Sequence, residues 1–253
     1  MSLFVAKDSI VRKIWGNSDT VLFIFAGAAA EFALNKAVDW LYFTGKLPAD
    51  PIGRLFSTVS YAKMIIFNKT DVALAAIDKI TAIHSILEDS RGASIPDWAY
   101  RDVLFMLIDY SVRSYQLLYN KLTAEQKEEV FQVFYKVGDR MRLQQLPKNY
   151  QEFTVMRHTH LQQDLAVSSL STNLMLQYKK HLGNFRYALL LKAQQMVVPN
   201  TVSSLLNMQS FNWLQPAVVI YKGLRIINAH HVLRNAMLPK KYLSQIKQLD
   251  VDY

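Results

Sequence analysis

The sequence predicts an all-α protein, a single-domain multi-helix bundle, on three observations. Apolar residues recur at helical spacing wherever Pro or Gly does not interrupt the chain, and no region sustains the alternation of a strand. Eight glycines and seven prolines in 253 residues are few for a glycine-looped nucleotide fold or for a sandwich that turns every ten residues or so. With 51% hydrophobic and 19% charged residues, the chain can bury a core and lacks the composition of a disordered one. Apolar density stays level, with no repeat and no low-complexity linker, so residues 1–253 are expected to form one domain.

The periodicity predicts helices over Thr20–Trp40, Arg54–Phe67, Asp71–Leu87, Asp97–Tyr119, Thr123–Leu143, Thr159–His181, Phe185–Met196 and Pro216–Leu233. Thr20–Trp40 and Val103–Tyr119 are apolar nearly all round and belong at the centre. Thr123-Ala-Glu-Gln126 is a capping box, since the threonine hydroxyl and the glutamine amide can each satisfy an exposed N–H at the helix start. Behind it Val130, Val133, Phe134 and Val137 share one face opposite Lys127, Glu128 and Lys136, the pattern of an amphipathic surface helix.

Several chemistries are excluded at once. There is no cysteine, so disulfides, thiolate metal sites, iron–sulfur clusters and cysteine nucleophiles are ruled out. No glycine-rich phosphate loop, His-Glu-x-x-His helix or Gly-x-Ser-x-Gly elbow is present. None of the six histidines follows a glutamate by three residues, which removes the Glu-x-x-His steps of a di-iron carboxylate bundle. The most apolar stretch, Val21–Leu34, is shorter than the roughly 20 residues a spanning helix needs and contains Glu31, so it reads as a core helix. Met1–Ser9 shows no secretory cleavage pattern, and the expectation is a soluble cytoplasmic protein. The net charge of +9 favours anionic ligands without choosing among nucleic acid, lipid headgroups and cofactor carboxylates.

Among the histidines His84 carries most information. It lies on the apolar stripe of Ile77, Ile80 and Leu87, and a buried neutral imidazole needs partners for both nitrogens, through hydrogen bonds or a metal. On periodicity alone it is either a satisfied core histidine or a ligand. His158 and His160 point about 200° apart on a helix and read as surface or capping residues. His230 and His231 sit near a helix end where the dipole favours them, and Lys179-Lys180 and Lys240-Lys241 read as solvated faces. In Asp50-Pro51-Ile52-Gly53-Arg54-Leu55-Phe56-Ser57-Thr58 a turn opens a helix from which Arg54 and Thr58 emerge one turn apart on one face. That pair suits a carboxylate, either of a ligand or of this chain.

The run Asp50-Pro51-x-x-Arg54-Leu55-x-x-Thr58, with the helix containing Ala82-Ile83-His84, resembles the MpaB-type oxygenases and the related latex-clearing proteins. Tyr100-x-Asp102, Leu122-Thr123-x-Glu125, Leu146-Pro147-x-x-Tyr150-x-x-Phe153 and Leu238-Pro239-x-x-Tyr242 are similar to the same family's pattern, so the resemblance covers most of the chain. It implies an all-helical bundle enclosing a b-type haem, with His84 as the proximal iron ligand and Arg54 and Thr58 beside the haem in support of catalysis. Asp39 is the counterpart of a distal carboxylate used by some members. Ser57 stands where some latex-clearing proteins have a lysine able to cap the iron, and the His-Pro step often found before the Asp-Pro turn is replaced within Ala33–Asp39.

The function implied is a haem b-dependent oxygenase acting with O₂ on a lipophilic, isoprenoid-like small molecule, by oxidative cleavage or oxygenation of a C=C bond, with no nucleic-acid partner. A non-enzymatic haem-binding or sensor protein of the same fold is the alternative, on the strength of Ser57 and the missing His-Pro step. A basic helical module for membranes or nucleic acids is the third, although Lys and Arg are scattered rather than striped.

Overall fold

A computed structural model describes residues 2–208, 210–216, 218–220 and 250. Among these residues it is all-α, its only β features being two isolated bridges, Leu3 with Lys69 and Asn35 with Leu165. The helices are α1 (Ile10–Trp15), α2 (Ser18–Leu34), α3 (Asp39–Phe43), α4 (Lys46–Ala49), α5 (Pro51–Phe67), α6 (Thr70–Arg91), α7 (Asp97–Leu118), α8 (Ala124–Arg140), α9 (Tyr150–Gln163), α10 (Ser169–Val197) and α11 (Asn200–Leu205). No helix among the described residues is long and apolar enough to cross a membrane.

The helix that is apolar all round becomes the axis of the bundle. α2 packs chiefly against α7 and α10, and Val21, Ile24, Ala29, Ala30, Ala33 and Leu34 are buried around its circumference. One position needs glycine for space: a Cβ on Gly27 would stand 2.3 Å from Cε1 of Tyr110, whose ring lies across α2 from α7. The helix stops at Leu34, short of the expected Trp40. The Asn35 side chain accepts from the Ala37 N–H at 2.8 Å, and the Leu34 carbonyl takes the Ala166 N–H at 2.8 Å instead of a helical partner. The chain restarts as α3.

α7 and the capping box of α8 form where the sequence places them; the Thr123 hydroxyl accepts from Gln126 N at 3.2 Å and Gln126 Oε1 accepts from Thr123 N at 3.0 Å. α8 ends before Leu143 because Arg142 takes a left-handed backbone angle just past its C-cap. The single helix expected over Thr159–His181 is two. Asp164 closes α9, and a second capping box, Ser168 with Ser171, opens α10. Gly183, at φ 74° and ψ 167°, leaves helical geometry and interrupts α10 at a kink, and the stretch expected as the Phe185–Met196 helix forms the limb beyond it. The short α1 and α11 and the first turns of α9 carry too few periodic positions to be read from sequence. Most of Pro216–Leu233, with His230, His231, Lys240, Lys241 and the Leu238–Tyr242 run, lies outside the described residues.

For the site, the relevant part is the antiparallel neighbours α5 and α6, with α3 and α4 leading into α5 and α7 following α6. Asp50 starts α5, accepting from Gly53 N at 2.9 Å ahead of Pro51, whose missing N–H costs nothing at a first helical position.

Candidate functional site

The residues singled out in the sequence gather on one face of α6 and the elements beside it. His84 follows Ile77 and Ile80 on their stripe, but α6 leaves the core as it goes: Ile77 is fully buried and His84 and Leu87 are half-buried. Ile83 and Ile86 beside it are exposed at 44% and 68%, an apolar surface at the imidazole's flank.

The His84 ring meets the Tyr100 ring edge-on, with centroids 5.1 Å apart and planes at 72°. Tyr100 is fixed in turn by Glu88, one helical turn beyond His84: Glu88 Oε1 accepts from the Tyr100 hydroxyl at 3.2 Å and from Ile95 N at 2.7 Å. That carboxylate ties the end of α6 to the start of α7. His84 Nδ1 is buried and has no hydrogen-bond partner. Burial depresses the pKa of the imidazole, the Glu88 charge pulls it back, and the Arg54 guanidinium depresses it again, so His84 is neutral at pH 7. A neutral imidazole is the form that binds a metal.

Arg54 is half-buried on α5, near enough for its charge to act on His84. Thr58 and Ser57 are exposed, and the Thr58 hydroxyl donates to the Arg54 carbonyl at 3.3 Å. Asp39 joins the same region through a different partner: its Oδ2 receives Arg91 Nη2 at 2.6 Å. The Arg91 guanidinium lies over the Trp40 ring at 4.0 Å and near the Phe43 ring at 5.5 Å, both on α3. Its Nη1 is buried without a partner. The structure thus brings His84, Arg54, Tyr100, Glu88, Arg91 and Asp39 to the end of the α5–α6 pair, with Thr58 on the exposed side of α5.

A second polar cluster lies deeper. Glu31 of α2, fully buried, is gripped by both terminal nitrogens of Arg157 on α9; Arg157 Nη2 stands 2.6 Å from Glu31 Oε2. The same guanidinium reaches Asp109 of α7 at 3.0 and 3.1 Å, and Asp109 also receives Arg113 Nε at 2.8 Å. The Tyr110 hydroxyl donates to Glu31 Oε2 at 2.8 Å. Gly27 and Glu31 are one turn apart on α2, so the missing side chain opens the slot through which Tyr110 reaches the carboxylate.

His160 belongs to this cluster, which corrects its reading as a surface or capping residue: it is 3% exposed. Nδ1 lies 2.7 Å from Asp102 Oδ2 and 3.3 Å from Asp164 Oδ2, and Nε2 lies 3.1 Å from Glu31 Oε1. Residues 157 and 160 share the face of α9 turned to α2 and α7, whereas His158 points out and meets Gln162. Burial lowers the His160 pKa, but the carboxylates of Asp102 and Glu31 outweigh it and raise it to about 9. Burial pushes Glu31 up, yet Arg157 and His160 hold it down at about 2. Asp102, His160 and Asp164 offer three ligand atoms within 4.8 Å of one another. Both imidazole nitrogens already face carboxylates, so an imidazolium donates from Nδ1 to Asp102 and from Nε2 to Glu31, with Asp164 further off. The signal was in the sequence: Glu31 in an apolar helix requires a buried cation, and Arg157 and His160, three apart, were available to supply it.

An apolar groove of about 360 Å³ runs between α10 and α11, lined by Met175, Leu176, Tyr187, Leu191, Leu205 and Met208 among others. It is within the size range of small-molecule sites, on elements that carry none of the candidate residues.

Compared with known proteins, residues 12–228 match the family model described as ER-bound oxygenase mpaB/B′/rubber oxygenase, catalytic domain. No curated protein and no solved structure matches the chain. The matched span includes His84, Arg54, Thr58, Asp39 and the whole Glu31–Arg157–His160 cluster. On that match, spanning most of its length, the chain belongs to the family of mpaB-type and rubber-oxygenase catalytic domains.

Proposed function

We propose that the protein is a haem b-dependent oxygenase that uses O₂ to cleave or oxygenate a C=C bond of a lipophilic, isoprenoid-like small molecule. The observation that carries this reading is His84: a neutral, half-buried imidazole with a buried, unpartnered Nδ1, set in apolar surface near the Arg54 guanidinium. A haem fits that set of residues. His84 would hold the iron, Ile83, Ile86 and Leu87 suit a hydrophobic macrocycle, and Arg54 would receive a carboxylate.

In this reading His84 ligates the iron and Tyr100 holds the plane of its imidazole by the edge-on contact. Haem, when bound, supplies the O₂ chemistry; the chain binds, orients and excludes water. Arg54 would fix a carboxylate of the cofactor, while burial first and the Arg54 charge after it lower the pKa of His84 against the pull of Glu88. Thr58, one turn along α5, has a hydroxyl that can leave its backbone acceptor and donate to a bound group. Asp39 acts by holding Arg91. A non-enzymatic haem-binding or sensor protein is the second reading, favoured by Ser57, an exposed serine at the position where some relatives have a lysine.

The test is a visible spectrum of the purified full chain, with the pyridine haemochrome to identify the haem, beside His84→Ala. A Soret band of b-type haem in the native protein, lost or displaced in the variant, is the expected result. A variant with the native Soret position and full occupancy would remove His84 as the ligand. Oxygen consumption with an unsaturated isoprenoid separates the two readings: uptake supports the oxygenase, and its absence in haem-replete protein supports the sensor.

A further inference from the structure

Arg91 has no role in the reading above beyond its contact with Asp39, yet its surroundings are those of a prepared anion site. The guanidinium is fixed on one face by Trp40 at 4.0 Å and at one end by Asp39 at 2.6 Å. Its other terminal nitrogen, Nη1, is buried without an acceptor. A buried N–H of a guanidinium left without a partner is costly, and a rigid one points to an acceptor from elsewhere. Arg91 is also in register with His84. Seven residues of helix advance about 10.5 Å along the axis and turn to within about 20° of the starting direction, so the two side chains leave the same face of α6 two turns apart.

We infer that Arg91 Nη1 binds a carboxylate of the same planar tetrapyrrole that His84 ligates, so that the macrocycle lies along α6 with its metal over His84 and a carboxylate arm at Arg91. This rests on the reading of His84 as the iron ligand. The reach from the centre of such a ring to the end of its carboxylate arm is of the same order as the two-turn separation. Asp39 is then the residue that positions the clamp: by occupying Nη2 it leaves Nη1 as the only terminal nitrogen to offer, and Trp40 prevents the fork from rotating away. A lysine could not hold Asp39, stack on Trp40 and meet a carboxylate together.

The experiment is a titration of the apo full chain with three probes: hemin, metal-free protoporphyrin IX, and haem dimethyl ester, whose carboxylates are capped. Binding is followed by Soret absorbance and by quenching of tryptophan emission, and folding of each variant is checked by circular dichroism. Arg91→Ala is expected to weaken hemin and protoporphyrin IX about 10- to 100-fold, the value of one charge-assisted hydrogen-bond contact, and to leave the ester unchanged. Arg91→Lys should fall between. The native protein, which needs no variant to fold, should bind each free acid more tightly than the ester. His84→Ala should lose hemin selectively and keep protoporphyrin IX, which has no metal to ligate. Hemin and protoporphyrin IX bound by Arg91→Ala as tightly as by the native protein would overturn the inference, as would an equal loss for the ester, since that would mark Arg91 as a structural pin for α3. A His84→Ala variant that retains hemin while Arg91→Ala loses both acids would reject the ligand assignment and leave the carboxylate clamp standing.

Discussion

Removing the Arg157 guanidinium should cost this protein a large share of its stability. In Arg157→Leu, Glu31 stays fully buried with only the Tyr110 hydroxyl and His160 as donors, and Asp109 keeps Arg113 at 2.8 Å. Glu31 therefore bears most of the loss. Breaking one side of a buried ion pair typically costs about 3–5 kcal/mol, against a total of roughly 5–15 kcal/mol for a domain. At about 2–4 °C per kcal/mol for a chain of this size, the melting temperature should fall by about 6–20 °C. Removing the carboxylate as well, in Glu31→Leu/Arg157→Leu, takes away the stranded charge and should recover much of the loss, with a coupling of at least about 2 kcal/mol in the double-mutant cycle. Urea denaturation followed by circular dichroism reads both numbers, and Arg157→Lys, which keeps the charge without the fork, gives an intermediate case that folds if the leucine variant does not. A loss under about 1 kcal/mol in Arg157→Leu, or additive single and double losses, would mean that the cluster does not hold the helices together in the way its geometry implies.

Three further outcomes follow from the same geometry. His160 has a folded-state pKa raised to about 9 from 6.5, so its contribution is full below about pH 6.5 and disappears as pH rises through 9. Glu31, held at about 2, loses its own only as pH falls below the usual carboxylate range. Melting curves from pH 6 to 10 should fall more steeply for the native protein than for His160→Gln, and equal slopes would contradict an imidazolium at this site. Gly27→Ala places a methyl 2.3 Å from a Tyr110 ring that is itself fully buried, and should cost about 1–3 kcal/mol by chemical denaturation; an unchanged midpoint would mean the ring can step aside. With Ser57 at the position of a relative's lysine, haem-loaded ferrous protein should bind carbon monoxide in one fast step, and slow binding to a six-coordinate spectrum would reveal a capping residue.

The fold was legible where one physical signal dominates. α2 and α7 are central because nearly every face of each is apolar, and α8 begins at Thr123 because its cap is written in local chemistry. The boundaries that failed were decided by tertiary partners. Leu34 ends α2 by giving its carbonyl to Ala166, more than a hundred residues away, and no window around Leu34 contains that information. His84 was placed correctly on its stripe, but the stripe says nothing of α6 leaving the core, which is what half-exposes the imidazole. His160 was misread for the opposite reason. Its neighbours in sequence, His158 and Thr159, are surface-like, and only the meeting of α9 with α2 and α7 turns it inward. Asp39 was assigned beside the haem by resemblance, and its tie to Arg91 depends on α3 folding back over the end of α6, a contact between residues 52 positions apart.

Among the described residues, the Glu31 cluster and the His84 region are satisfied to opposite degrees. Around Glu31 the buried carboxylates of Glu31, Asp102 and Asp109 face the buried cations Arg157 and His160, and the cluster joins α2, α7 and α9. Around His84 the imidazole Nδ1 and the Arg91 Nη1 lack partners although they are buried, and the apolar side chains between and beside them stand partly in water. A buried polar atom without a partner costs about 1–3 kcal/mol. A ligand of the kind proposed above, with a metal for one and a carboxylate for the other, would recover that cost. The network on α2, α7 and α9 anchors α7, and with it Tyr100 and the α6–α7 connection held by Glu88.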